Sequence, residues 1–152
     1  MKIKLVLFFL VLLWVGGIFI RFFIPEINGL FYLLPFLEKT YSTVCHQQPA
    51  KLISINGHKT LVCARCTGIY LGALLSSAGL LFLKLQNKLN IKLLIFASVP
   101  LAGDVLLYSL GIYSYSKTVA LVTGLLLGSA GFLYIHEGIM DLLEEKNKKD
   151  KN

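Results

Sequence analysis

Charged side chains are scarce in this chain of 152 residues, of which only 15% are Asp, Glu, Lys or Arg. Soluble globular proteins have about 25%. Hydrophobic residues make up 56% of the sequence, and the mean hydropathy is +0.72. This balance excludes a disordered chain and argues against a water-soluble enzyme domain. It predicts an integral membrane protein.

Cysteine and acidic residues are also few. Three cysteines are too few for a disulfide-dense secreted scaffold. The sequence also lacks the internal repeats that a fibrous protein would have. Eight acidic residues against 15 basic ones leave a net charge of +7, which in a soluble protein would suggest a nucleic-acid partner. Here the lysines flank apolar runs, and no basic face is interleaved with aromatic residues. The sequence therefore predicts the lipid bilayer as partner and no nucleic acid.

Four apolar segments have about the 20 residues needed to cross a bilayer core. They lie at about 5–24, 63–83, 93–113 and 118–135. The prediction is an all-α membrane protein in which a single four-helix domain covers residues 1–137. Residues 138–152 form a charged tail with a frayed end.

Basic residues indicate the orientation of these segments. Lysines concentrate at the N-terminus, between the second and third segments, and in the tail. Positively charged residues favour the cytoplasmic side. We therefore expect a multi-pass protein of the cell membrane with both termini in the cytoplasm and the loop 41–66 outside it.

Small residues recur at four-residue spacing on two of the segments. Gly68 and Gly72 lie on the second, and Gly124 and Gly128 lie on the fourth. Such spacing lets helix backbones approach closely. The pattern predicts tight packing within the chain, or oligomerisation through these faces.

The loop 41–66 contains all three cysteines and two of the three histidines. Cys45 is followed directly by His46, and Cys63 and Cys66 form a C-x-x-C pair. Apolar and polar residues alternate around an Asn-Gly pair at 56–57, which predicts a short β-hairpin. This hairpin would bring Cys63 back to Cys45.

Three thiolates and one imidazole complete a four-ligand zinc site. The predicted ligands are Cys45, Cys63, Cys66 and His46, with His58 as the alternative to His46. Zinc is the expected ion, although iron or copper would also accept this ligand set. The site would be structural or would bind a ligand.

The same cysteines permit a different chemistry. Cys63 and Cys66 could cycle between dithiol and disulfide, with Cys45 as a relay, in a membrane thiol-disulfide oxidoreductase. An inert structural disulfide is a further alternative. The odd number of cysteines favours metal binding over a disulfide. A disulfide would leave one thiol unpaired, whereas a Cys₃His site uses all three.

Arg65 and Asp104 are the charged residues closest to this predicted chemistry. Arg65 stands between the two thiols of the C-x-x-C pair, and Asp104 lies inside the third apolar segment. An acid within a span is a functional candidate and needs a partner. The pair could form a pocket for a small anionic or lipid ligand, or a structural ion pair. A small transporter or channel subunit, resting on Asp104, is the second alternative function.

Two motifs carry a resemblance to a known family. They are Cys45-His46-Gln47 with Pro49, and Cys-Ala-Arg-Cys-Thr-Gly-Ile-Tyr-Leu-Gly at 63–72. With these motifs the sequence resembles the small predicted membrane proteins of domain-of-unknown-function family 2085, over about residues 41–131. The resemblance implies an integral membrane protein of unknown biochemistry and supplies no reaction.

Overall fold

The computed structural model describes residues 2–23, 32–55, 57–82 and 90–149. In these ranges the chain is mostly helical, with one sheet of two strands. The helices are α1 (Lys2–Ile18), α2 (Ile20–Phe23), α3 (Leu34–Ser42), α4 (Ala64–Phe82), α5 (Ile91–Ser109) and α6 (Lys117–Lys149). Between α3 and α4 lie a 3-10 turn (Pro49–Lys51) and the strands β1 (Leu52–Ile55) and β2 (His58–Cys63).

Within the described ranges, three helices are long and apolar enough to cross a membrane. They are Ala64–Phe82, Ile91–Ser109 and the Lys117–Leu143 part of α6. The apolar part of α1, Ile3–Ile18, is shorter.

Two helices differ in extent from the apolar segments that contain them. The first segment does not run as one helix to residue 24, because α1 ends at Ile18 and a turn at Phe19 precedes α2. Glycines in the last turn of α1 weaken the helix while the hydropathy continues unchanged. The fourth helix does not end near residue 135, and the tail is helical as far as Lys149. Lysine and glutamate end an apolar run, but they are good helix formers.

The glycines of α4 and α6 let the two helices pack in parallel with close backbone contact. A Cβ atom added at Gly68 or Gly72 would collide with the α6 backbone, and one added at Gly124 or Gly128 would collide with that of α4. All four glycines are buried. Close packing within the chain is confirmed. Because the glycine faces cover each other, they are not free for the alternative that we predicted, oligomerisation.

Helix α1 lies antiparallel to α4. Near its N-terminus, Lys4 Nζ donates a hydrogen bond to the carbonyl oxygen of Leu80, 2.9 Å away. Near the other end, the rings of Trp14 and Tyr70 are 5.9 Å apart. Since Leu80 lies in the last turn of α4 and Tyr70 lies in its first half, the two helices run side by side in opposite directions.

A small core joins the segment before α4 to the end of α1. Its buried members are Ile18, Tyr41, Cys45, Leu61 and Val62. The Tyr41 hydroxyl donates a hydrogen bond of 2.5 Å to the Trp14 carbonyl oxygen. The loop and hairpin thus have no separate core and depend on α1 for theirs.

Candidate metal centre

Three sulfur atoms meet where the hairpin joins α4. The Sγ atoms of Cys45, Cys63 and Cys66 all lie within 4.8 Å of one another. Cys45 is buried and the other two are half-buried, and all three are free thiols. The sequence-predicted cysteines are therefore brought together, in a group that could hold a metal ion.

Cys45 is positioned by the end of α3 and by a strained loop residue. Its backbone N–H donates a hydrogen bond to the Tyr41 carbonyl oxygen, at 3.0 Å. Gln47 adopts a φ of 47°, a conformation uncommon for residues other than glycine. The Gln47 side-chain amide donates to the carbonyl oxygens of Leu61, at 2.9 Å, and Glu38, at 3.3 Å. These bonds fasten the loop to both α3 and β2.

The hairpin delivers the second cysteine. Strands β1 and β2 are antiparallel and Leu52 pairs with Cys63. Gly57, in the connection between the strands, has a φ of 82°, which glycine adopts readily. The Cys63 backbone N–H donates to the Cys45 sulfur at 3.2 Å. The predicted hairpin is confirmed, and it returns Cys63 to Cys45.

Electrostatics at the sulfur group favour a thiolate. The Cys66 thiol donates a hydrogen bond to the Cys63 sulfur and thereby lowers the pKa of the Cys63 thiol, against the opposing effect of burial. The thiolate is the form that binds metals and attacks disulfides. A lowered pKa at Cys63 therefore suits either of the chemistries predicted for this site.

The two histidines of the loop lie in different surroundings. Both are exposed, and neither belongs to the sulfur group. His46 lines a cavity that the cysteines also line. His58 packs against the Phe22 ring at 6.1 Å between centroids. The fourth ligand stays a prediction, and His46 is the histidine closer to the site.

Arg65 and Asp104 form an ion pair. The distance from Arg65 Nη2 to Asp104 Oδ2 is 2.5 Å, and the Asp104 side chain is 1% exposed. The Tyr113 hydroxyl donates a hydrogen bond to the other carboxylate oxygen. Arg65 lines the cavity beside the cysteines and Asp104 does not. The pocket predicted from both residues is thus lined by the arginine, with the carboxylate behind it.

We call this space the thiol cavity. Its volume is about 330 Å³. Its lining consists of Val44, Cys45, His46, Gln47, Gln48, Lys51, Cys63, Arg65 and Cys66.

Lys51 is the lining residue that sequence reasoning missed. Its Nζ lies 4.6 Å from the ring centroid of Tyr108 and 5.3 Å from that of Tyr115. Burial raises the pKa of Tyr115 to about 12, so its ring stays neutral and attracts the ammonium group. No local signal marks this contact, because the two tyrosines follow Lys51 by more than fifty residues.

Comparison with known proteins agrees with the membrane character of the chain and with the family resemblance of its motifs. The family model for "Predicted membrane protein (DUF2085)" matches residues 45–134. An uncharacterized protein of Methanocaldococcus jannaschii is 33% identical over 115 residues, covering 74% of each chain. An uncharacterized protein of Methanothermobacter thermautotrophicus is 57% identical over 30 residues, covering 20% of this chain and 27% of that protein. No solved structure matches. The chain belongs to domain-of-unknown-function family 2085, a family of predicted membrane proteins.

Proposed function

We propose that this membrane protein binds a zinc ion between Cys45, Cys63 and Cys66, with His46 as the fourth ligand. The observation that carries the proposal is the meeting of three thiols from different segments within 4.8 Å. Tetrahedral zinc with Zn–S bonds of about 2.3 Å places its sulfurs about 3.8 Å apart. A small contraction of the group would satisfy that geometry.

The ion would act on the loop as a structural link. The loop between α3 and the hairpin is short, and its buried residues pack against the end of α1. A metal bound to Cys45 and Cys66 would join this loop directly to the first turn of α4. Metal binding supplies stability to segments that cannot build a core of their own.

His46 is favoured over His58 by its position. It is adjacent to Cys45 and lines the thiol cavity, whereas His58 lies at the start of β2 against Phe22. Because His46 is exposed and lies outside the sulfur group, ligation requires it to move toward the three sulfurs.

Elemental analysis of the detergent-purified protein, with a thiol count on the same sample, tests the proposal. We expect about one zinc per chain, since the cluster offers one set of ligands. Cys63→Ser should lose the metal and His46→Ala should bind it more weakly. His58→Ala is the matched control and should retain it. Metal-free protein with three free thiols would refute zinc binding, and equal losses in both histidine variants would refute the role of His46.

Thiol-disulfide exchange is the second candidate, favoured by the contact between free thiols. The Cys63 thiolate would attack a substrate disulfide, forming a mixed disulfide and releasing one substrate thiolate. Cys66 would then lose its proton to the solvent and attack the Cys63 sulfur, breaking the mixed disulfide, forming an internal disulfide and releasing the second substrate thiolate, so that the substrate is reduced and the protein oxidised. Cys66→Ser should trap the mixed disulfide. A variant that traps no thiol partner would exclude this activity.

Transport has less support than either candidate. The transport hypothesis required an Asp104 carboxylate that could interact with a transported ion or molecule within a span. This carboxylate instead forms an ion pair with Arg65 and accepts a hydrogen bond from Tyr113. A flux in liposomes that Asp104→Asn abolishes, while the protein stays folded, would revive it.

A further inference from the structure

We infer that the thiol cavity binds a small thiol carrying a carboxylate, whose sulfur replaces His46 on the metal and whose carboxylate pairs with Lys51. This inference rests on the proposed metal site. It adds the chemical class of the ligand and a residue that selects it.

The cavity has room for such a ligand and suitable charge. Its 330 Å³ equals the share of roughly ten water molecules in liquid water. Two of its lining residues, Lys51 and Arg65, are cationic, and apart from the three cysteines assigned to the metal no lining residue carries a negative charge. A ligand with a negative group is therefore favoured over a neutral or cationic one.

Lys51 is the cation left to receive that group. Arg65 is already neutralised by Asp104, but no carboxylate in the described part of the chain lies within ion-pair distance of Lys51. Lys51 is half-buried, and its ammonium group lies over two tyrosine rings. Ring contacts position a cation without cancelling its charge.

The sulfur group favours a soft donor. A centre with three thiolate ligands prefers a metal that accepts further sulfur, and zinc sites with four sulfurs are common in proteins. His46 is exposed and lies outside the sulfur group. Its nitrogen is therefore the ligand most easily displaced.

The exchange balances without an oxidant. The S–H bond of the incoming thiol breaks and its proton passes to the solvent. A metal–sulfur bond forms, and the metal–nitrogen bond to His46 breaks, leaving a neutral imidazole. No electrons are transferred.

The experiment uses the full-length chain in detergent, loaded with Co²⁺ in the absence of oxygen. Visible absorption of the Co²⁺–thiolate centre reports a change of ligand. We expect 3-mercaptopropionate to change the spectrum saturably, while propionate leaves it unchanged. Lys51→Met should weaken binding about tenfold or more, as expected for loss of a charge-assisted bond. The control Lys59→Met, on an exposed strand residue outside the cavity, should not.

Two further comparisons sharpen the test. 1-Propanethiol has no carboxylate, so wild type and Lys51→Met should bind it equally weakly. Lys51→Arg keeps the charge and should restore much of the affinity for 3-mercaptopropionate. His46→Ala should bind the acidic thiol more tightly, because no nitrogen has to be displaced.

The outcomes distinguish a failure of this inference from a failure of the proposed metal site. A chain that gives no Co²⁺–thiolate absorption would refute the metal site itself. A chain with that absorption, unaltered by 3-mercaptopropionate, would leave the metal site standing and overturn the inference. Equal binding of the acidic and neutral thiols in wild type would overturn the role of Lys51.

Discussion

At the scale of single residues, Arg65 links the sulfur group to the membrane interior. It stands between Cys63 and Cys66 in the chain, yet its guanidinium group bonds to Asp104 on α5. Asp104 is the one buried residue of α5. This ion pair therefore joins α5 to the start of α4.

Removing one partner of this ion pair should be costly. Asp104→Asn leaves the Arg65 charge uncompensated, and breaking a buried pair costs about 3–5 kcal/mol. We expect a correspondingly lower free energy of unfolding in detergent. The double variant Arg65→Met with Asp104→Leu should recover most of the loss, because neither charge then remains buried alone. A double variant as unstable as Asp104→Asn would contradict this account.

Tyr41 should make stability depend on pH in the alkaline range. Burial raises its pKa from 10.0 to about 12, so the folded state keeps the neutral phenol. The resulting stabilisation is complete below pH 10 and is lost as the pH rises to about 12, since the unfolded state releases its proton first.

Tyr41→Phe isolates this effect, because Tyr115 titrates in the same range in both proteins. At neutral pH the variant should be about 1 kcal/mol less stable, having lost the hydrogen bond to Trp14. Between pH 10 and 12 wild type should lose up to about 1.4 kcal/mol per pH unit more than the variant. Chemical unfolding at several pH values measures both, and parallel curves would disprove the assignment.

At the scale of helices and strands, the contact between α4 and α6 depends on residues without side chains. The colliding atoms that a new Cβ would meet are backbone atoms, which cannot move aside as a flexible side chain can. Serine contacts extend the contact along the helices: Ser76 Oγ donates to the Ser129 carbonyl oxygen, and Ser129 Oγ to that of Gly72, both at 3.2 Å.

Two glycines of α6 form a matched pair for testing this contact. Gly128→Ala should destabilise the protein by about 1–3 kcal/mol, the usual cost of overpacking. Gly131 has open space where a Cβ would lie, so Gly131→Ala should be neutral or stabilising by up to about 1 kcal/mol. Thermal unfolding in detergent gives both values. Equal effects of the two substitutions would show that the helices do not rely on close approach at Gly128.

The features that the sequence predicted well are those encoded locally. An Asn-Gly pair between alternating residues is enough for the hairpin, and the C-x-x-C spacing is enough to place Cys66 in the first turn of the following helix. The Lys51 contact with Tyr108 and Tyr115 could not be predicted, because it depends on how the turn after α5 meets the loop. The end of α1 was missed because hydropathy does not report a break in a helix.

At the scale of the whole molecule, the helices alternate in direction. Helix α1 is antiparallel to α4, α4 and α6 are parallel, and α5 runs against both, because its C-terminal half meets the start of α4. The hairpin and the turn after α5 therefore lie at one face. The N-terminus of α1 and the C-terminal end of α6 lie at the other.

The predicted topology of four crossings with both termini in the cytoplasm stays a prediction, because the apolar part of α1 is shorter than the three candidate spans of the described residues. The Lys117–Leu143 segment is 27 residues long, about 40 Å as a helix, so α6 extends beyond a core of about 30 Å. Cysteines introduced at Lys59 and Lys148 should react with a membrane-impermeant maleimide from opposite sides of the membrane. The measurement compares the labelling of each variant with that of the native protein, in vesicles of both orientations. The increase over the native protein shows the side on which the new cysteine lies.

A cysteine added before Met1 tests whether α1 crosses. It should react from the same side as one at Lys148, since an even number of crossings separates them. Reaction from the side of Lys59 would show that α1 lies on the membrane rather than across it, leaving three spans.

The ion pair between Arg65 and Asp104 also bears on how the chain enters the bilayer during synthesis. Each of these residues alone opposes insertion of its helix, by about 2.5–3.5 kcal/mol when a charge lies at the helix centre and less near an end. Helix α4 leaves the ribosome first and must expose its arginine until α5 arrives with the compensating carboxylate. We therefore expect the two helices to gain by entering the lipid together as a hairpin, because the ion pair then compensates both charges.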